Sequence, residues 1–295
     1  MAFVGVFFLT FFLIHFLPGD AFLNEQSLPE ASYNELRHHW QLDEPLSVQL
    51  SHYLGLIVQG DFGRSMVYPD WTISEIILNS LPISAFLGFC ALCVAVLLGI
   101  GTALLATLWR HDLYLVITTC IVSMPVFLVG ALFQYLFAIE WEWFPVARWG
   151  SWQQMVLPVM TLAIAPGAFM GRLLYVRLRA ELKEPYARFV ESKGLSDYAI
   201  LFRHAFRNAC SPVIAYLGPL TAQIATGSFV VEKIFAIPGL GQWFVLSVMS
   251  RDYPLIIAIA LLYSLILMTC VLLSDLAALW INPRYRHALF RGVPT

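Results

Sequence analysis

The chain has 295 residues, of which 59% are hydrophobic and only 12% charged; its formal net charge is −2 and its mean hydropathy +0.74. A soluble domain carries about twice that share of charge, so the composition excludes a water-soluble enzyme or binding domain and makes the bilayer the natural solvent. The small net charge excludes little, because the charges are segregated along the chain.

A membrane helix needs roughly 20 predominantly apolar residues, and six segments approach or meet that: 2–17, 81–108, 113–139, 155–176, 212–231 and 254–281. The first is short, and no basic cluster precedes it. Pro-Gly-Asp at 18–20 is not a small-residue cleavage pattern, so the segment reads as a span rather than a signal peptide, with its cytoplasmic start expected to be missing from this chain. Residues 18–80 are polar, acidic and interrupted. Within them 31–40 predicts a short helix capped by Ser32 with Glu35 three residues on, Leu-Asp-Glu-Pro at 42–45 predicts a turn, and Gly-Asp-Phe-Gly-Arg-Ser at 60–65 a glycine-flanked loop. About sixty residues are too few for an independent enzyme domain, so a cap over a pore entrance is expected. His38 and His39 are adjacent and share no helix face, which favours solvated surface over a metal site.

Of the five cysteines, Cys90 and Cys93 form a CxxC in the second span. With no histidine or second pair nearby, they read as small packing residues. Pro158, Pro166, Pro212 and Pro219, with Gly167, Gly171, Gly218 and Gly227, lie in or beside later spans. Such residues loosen helices for movement or let them pack closely, and the sequence leaves both readings open. Ionisable groups in the spans are few: His15 near one end of the first and Asp275 near one end of the last, either of which would snorkel or pair. Ser123, Gln134 and Gln223 are candidate pathway residues, with interhelical hydrogen bonding an equal alternative for the two glutamines.

Lysine and arginine set orientation. With the N-terminus cytoplasmic, twelve of the seventeen fall inside, Arg110 and Arg172 among them, and thirteen of the nineteen acidic residues fall outside. Six spans with both termini cytoplasmic are expected. Most of the bias comes from one inner loop. There Pro185 suits the first position of a helix and Gly194 the position just past its end, with nine residues, roughly 13 Å, of helix before the glycine. Tyr186, Phe189, Val190 and Lys193 fall at i, i+3, i+4 and i+7, so three apolar groups share a face; Arg188 and Glu191 lie elsewhere, and Lys193 complements the helix dipole. Ser196 predicts the cap of a second helix, on which Arg203 and Arg207 share a face. From these residues alone, an amphipathic hairpin on lipid headgroups and a short helix docked in a partner's groove are equally supported.

Several short motifs then carry a resemblance. They are Phe-Leu-Pro-Gly-Asp at 16–20, Leu-Asp-Glu-Pro at 42–45, Gly-Asp-Phe-Gly-Arg-Ser at 60–65, Ser-Met-Pro at 123–125 and Leu-Pro-Val-Met-Thr-Leu at 157–162. They continue with Lys-Gly-Leu-Ser at 193–196, Arg-His-Ala-Phe-Arg-Asn-Ala at 203–209, Phe-Ala-Ile-Pro-Gly-Leu-Gly at 235–241, Arg-Asp-Tyr-Pro at 251–254 and Asn-Pro-Arg at 282–284. In this order and spacing the chain resembles the inner-membrane permease subunits of bacterial ABC importers for dipeptides, oligopeptides and nickel, in the branch of the first permease of each pair. The resemblance implies an all-α membrane protein of six transmembrane helices in the type I ABC importer permease architecture. Residues 1–73 would form the first helix and periplasmic segment, 74–281 the permease domain of five helices, and 282–295 a cytoplasmic tail. It implies that Pro185, Tyr186, Arg188, Phe189, Val190, Glu191, Lys193, Gly194 and Leu195 belong to a coupling helix, at about 185–194, seated on an ATP-hydrolysing subunit. It implies as partners a homologous second permease, two ATP-binding subunits, a periplasmic solute-binding protein and the bilayer of the inner membrane, and no nucleic acid. Val190 and Ser192 stand where the family usually has alanines, so the fit to the partner groove is expected to be particular to this complex.

The chain carries no GxxxxGK[ST] loop, and none of Lys183, Lys193 and Lys233 follows a glycine-rich turn. It is therefore expected to be no enzyme and to bind no cofactor or metal, ATP and Mg²⁺ being used by partner subunits. The expected mechanism is alternating access, in which closing ATPases drag the 185–194 helix and tilt spans four and five. Peptides are the expected cargo, with nickel or another metal chelate the alternative; an ion-coupled secondary transporter and a passive anchor are the readings from other classes.

Overall fold

The computed structural model describes residues 2–16, 40, 42–109, 113–225 and 229–281. The expected helix at 31–40 with its Ser32 cap, the His38–His39 pair, Arg110 and the 282–295 tail therefore lie wholly or mostly outside the described residues. Among those described there is no β-strand, only one antiparallel bridge between Arg64 and Thr72.

Helix α1 (Ala2–Phe16) is followed by α2 (Leu46–Gln59), which stops at Gly60 in the left-handed conformation, φ +72°. Helix α3 (Ile73–Trp109) begins eight residues before its apolar run, because Thr72 and Glu75 cap it reciprocally: Thr72 N–H donates to Glu75 Oε2 at 3.0 Å and Glu75 N–H to Thr72 Oγ1 at 3.2 Å. Then come α4 (Leu113–Ser123) and α5 (Val126–Phe133), which runs on into a π turn at Gln134–Glu140. Next are α6 (Trp152–Glu181) and the hairpin helices α7 (Pro185–Ser192), α8 (Asp197–Ile200) and α9 (Phe206–Ala209), with a π turn at Leu201–Ala205. The chain ends with α10 (Ser211–Ala225), α11 (Phe229–Ile234), α12 (Leu240–Ser250) and α13 (Tyr253–Ile281).

Among the described residues three helices are long and apolar enough to cross a membrane: α3, α6 and the Tyr253–Leu276 part of α13. Residues 113–139, expected as one span, are apolar throughout but broken, and α4 and α5 meet at 95°. Pro125 causes the break. It has no N–H to continue the α4 ladder and drives Met124 out of the helical region, and its own carbonyl starts α5 by accepting from Leu128 and Val129. Counted as one crossing, the bent pair makes four. The described parts of α1 and α10, 15 residues each, reach about 22 Å against the roughly 30 Å of hydrocarbon.

The chain divides into two units, residues 1–84 with 238–266 and residues 85–237 with 267–295. In the first, α1 lies against the start of α13: Phe7, Phe11 and Ile14 pack with Tyr253, Ile256, Ile257 and Leu261. A second cluster joins Ile73 and Ile76 to Leu240, Leu255 and Ile259. His15 is paired, with Nδ1 2.7 Å from the Phe11 carbonyl oxygen and Nε2 2.9 Å from Gln49 Oε1, while Gln49 Nε2 donates to the Leu42 and Glu44 carbonyls.

In the second unit α6 is the hub, in contact with α4, α5, α10 and α11. Its glycines serve close packing. A Cβ on Gly99 of α3 would stand 2.8 Å from the Gly167 carbonyl oxygen, and one on Gly171 would collide with the Tyr114 hydroxyl. Helix α6 stays continuous through Pro158 and Pro166. Close contact between small residues is thus the use the structure makes of this Gly-x-x-x-Gly stretch.

Candidate functional site

The charged hairpin is built as its punctuation predicts. Pro185 opens α7 after Glu184; Lys193 N–H donates to the Val190 carbonyl at 3.2 Å and Gly194 N–H to the Glu191 carbonyl at 2.9 Å, and Gly194 takes φ +83°. Ser196 Oγ accepts weakly from Ala199 N–H at 3.4 Å. Which face is inward differs from the periodicity. Ala187, 3% exposed, is the anchor, and it lines a cavity of about 130 Å³ with Thr107, Leu108, Leu182, Glu191 and Leu201. Tyr186 and Val190 are half-buried, whereas Phe189 is 60% exposed with the Lys193 ammonium 4.4 Å from its ring centroid. The reason is length: an eight-residue helix packs through its smallest side chain, which lets its backbone approach, and its largest ring is left outside.

Tyr186 ties the helix to α6. Its hydroxyl donates to Glu181 Oε2 at 2.7 Å, and Asn208 Nδ2 of α9 approaches the same oxygen at 3.4 Å. Partial burial, and then the hydrogen bond to Glu181, raise the phenol above its ordinary pKa. Leu195 is half-buried, and Glu191, Ser192 and Gly194 are exposed. The π turn at Leu201–Ala205 adds a residue between Arg203 and Arg207, so their i, i+4 stacking is not that of a regular helix; both are exposed. Cys210 closes the hairpin, and burial pushes its thiol up to about 11, away from the thiolate that redox chemistry needs.

The other motif-rich region, in the first unit, is dry. Asp252 and Ser65 are each 0% exposed, although 187 residues separate them. The Ser65 hydroxyl donates to Asp252 Oδ2, and Met66 N–H donates to Oδ1 at 3.2 Å. Burial raises the Asp252 carboxyl above the usual range, against these hydrogen bonds and those from the Leu255 and Val67 N–H groups, which lower it. Thus Gly-Asp-Phe-Gly-Arg-Ser and Arg-Asp-Tyr-Pro meet through one carboxylate. Arg251, just before it, holds φ +57° and ends α12.

Of the candidate pathway residues, Ser123 is exposed at the α4–α5 break. The Gln134 amide is engaged, donating to the Val146 carbonyl at 2.8 Å and the Ile234 carbonyl at 3.1 Å, so it pins the 141–150 loop and the end of α11. Gln223 is exposed on α10. Arg172, counted from sequence with the inner charges, instead sits within α6 and donates from Nη1 to Thr119 Oγ1 of α4 at 2.9 Å. The signal was present: Arg172 falls inside the apolar run 155–176, and an ionisable group in a span marks function by default.

Comparison with known proteins adds three findings. Residues 95–287 match the family of binding-protein-dependent transport system inner membrane components. The chain is 39% identical over 282 residues to the dipeptide transport system permease protein DppB of Bacillus subtilis (strain 168), covering 94% of this chain and 92% of that protein. It is 32% identical over 286 residues to the oligopeptide transport system permease protein OppB of Salmonella typhimurium, covering 95% and 93% respectively. Among solved structures, the crystal structure of an amino acid ABC transporter with histidines aligns at a TM-score of 0.53 and 18% identity, over 70% of this chain and 94% of that one, which is a likeness of fold.

Proposed function

The chain belongs to the family of binding-protein-dependent transport system inner membrane components, and from that membership we propose that it is the permease subunit of an ATP-driven importer, forming half of the path by which peptides cross the inner membrane. The relatives' names, as dipeptide and oligopeptide permeases, support both the transport and the cargo. The chain crosses six times, with both termini cytoplasmic: through α1, α3, the bent α4–α5, α6, the α10–α11 pair and α13. A homologous second permease completes the path, two ATP-binding subunits drive it with ATP and Mg²⁺, and a periplasmic solute-binding protein delivers the peptide.

One observation carries the coupling part of this reading. Helix α7 hangs on Ala187 and Tyr186 while turning Phe189 and Lys193 outward. An exposed aromatic ring with a cation over it, on a short helix with a fixed stop, is the form of a knob for a groove. ATP binding closes the motor subunits, the knob moves with them, and α6 follows through the Tyr186–Glu181 hydrogen bond. The membrane path then opens to the other side, as two states weighted unequally by their ligands.

Gly194→Pro tests it. Proline cannot take φ +83° and has no N–H for the Glu191 carbonyl. In the reconstituted importer, peptide uptake is expected to fall at least about tenfold while the subunit still inserts. Uptake driven by an ion gradient without ATP, or crosslinks from Phe189 that never reach an ATP-binding subunit, would overturn the reading.

A further inference from the structure

Arg172 is an exposed cation on a helix that crosses the membrane. A charge there is costly against lipid and faces protein interior or water instead. An arginine near a helix end ordinarily snorkels toward the headgroups. This one does the reverse. Its Cα lies nine residues before the end of α6 at Glu181, about 13 Å of helix, and a helical side chain leans toward the N-terminus, away from that end. The guanidinium finishes on Thr119, six residues and so about 9 Å into α4, with Tyr114 beside Tyr175 below it.

The two faces of α4 differ in chemistry. Leu113, Ile117 and Ile121, with Met160 and Ile164 of α6, line an apolar groove of about 550 Å³. Thr119 and Ser123, one turn apart, fall on nearly the opposite side of the helix and are exposed. If lipid chains wet the first face, the second faces the path.

The chemistry of that second face is specific. The Thr119 hydroxyl gives its hydrogen to the Leu115 carbonyl at 2.7 Å, so toward Arg172 it can only accept. It fixes the guanidinium and uses one of its five N–H donors. The Ser123 hydroxyl likewise donates to the Thr119 carbonyl at 2.9 Å. Among the described residues no carboxylate is paired with Arg172. The fork that remains matches a carboxylate, which arginine binds through two parallel hydrogen bonds.

We propose that Arg172, held by Thr119, is the site on the path that receives the free α-carboxylate of the peptide. This rests on the importer reading above and adds to it a named contact and a required end group.

The test uses the complete importer with its binding protein in liposomes, and measures ATP-driven uptake of one dipeptide as the free acid and as the C-terminal amide. The same binding protein serves every variant, so the change in acid-to-amide ratio belongs to the permease. Arg172→Gln is expected to lower acid uptake about tenfold, the worth of a charge-assisted contact, and to leave amide uptake within about twofold; Arg172→Lys restores part of the difference. Binding of the two peptides to the solubilised importer without binding protein gives a second measure, with the acid preferred about tenfold by the unaltered protein and by no margin in Arg172→Gln. Equal loss of acid and amide uptake in Arg172→Gln, or equal affinities in the unaltered protein, overturns the proposal. No ATP-driven uptake of either peptide by the unaltered importer overturns the importer reading instead.

Discussion

At Asp252 a carboxylate is wholly buried, and at Phe189 a benzyl ring is 60% exposed. Both lie in charge-rich stretches outside the long apolar runs, where composition predicts the opposite for each. The Asp252 region consumes its polar groups internally: Ser65, Met66 and Leu255 all donate to one carboxylate. In the 185–209 hairpin Tyr186 and Asn208 bond to Glu181 of α6, while Phe189, Lys193, Arg203 and Arg207 are exposed. A polar segment between spans therefore has two physical uses, as a staple for its own unit or as a handle for another molecule. Hydrogen-bond partners separate the two where charge content does not.

Four substitutions at three positions sharpen this contrast. The largest effect is expected at the staple. Asp252→Ala leaves the buried Ser65 hydroxyl and Met66 N–H without an acceptor, at a cost of about 3 kcal/mol, read as a lower unfolding midpoint in detergent and less protein in the membrane. Asp252→Asn, which keeps an acceptor, loses less. At the handle the sign of the two readouts reverses. Phe189→Ala is expected to leave the unfolding midpoint unchanged and to cut ATP-driven uptake about tenfold, the loss of one anchor in a groove. A fall in unfolding midpoint as large as that of Asp252→Ala would break the distinction. The smallest effect belongs to Lys193→Gln, which removes an exposed cation–π contact of about 0.5 kcal/mol and should lower uptake about twofold with stability intact.

Much of this was legible in the residues. Pro185 and Gly194 bracket α7 because each suits only one end of a helix, and the apolar runs at 81–108, 155–176 and 254–281 each lie within a long helix. What escaped was direction and depth. Hydropathy is blind to a right-angle turn, so Pro125 disappeared into a 27-residue apolar run. Helix α12, eleven residues beside an α13 that is buried from Tyr253 to Ile259, was too short to stand out. Periodicity named the apolar face of α7 but not its inward residue, because Ala187 contributes little hydrophobicity and much closeness. Counting Arg172 with the inner charges says nothing of its partner, and its place in the apolar run 155–176 is what marks it.

The bend at Pro125 reaches back to the birth of the protein. The bent pair has one arm of 11 residues and one of 15, about 16 Å and 22 Å end to end, so neither would be retained alone by a translocon that sorts segments on greasiness and length. Both halves rest on α6, which the ribosome has yet to make when they emerge. Biogenesis must hold the segment straight, or hold it in waiting, until its later neighbour arrives.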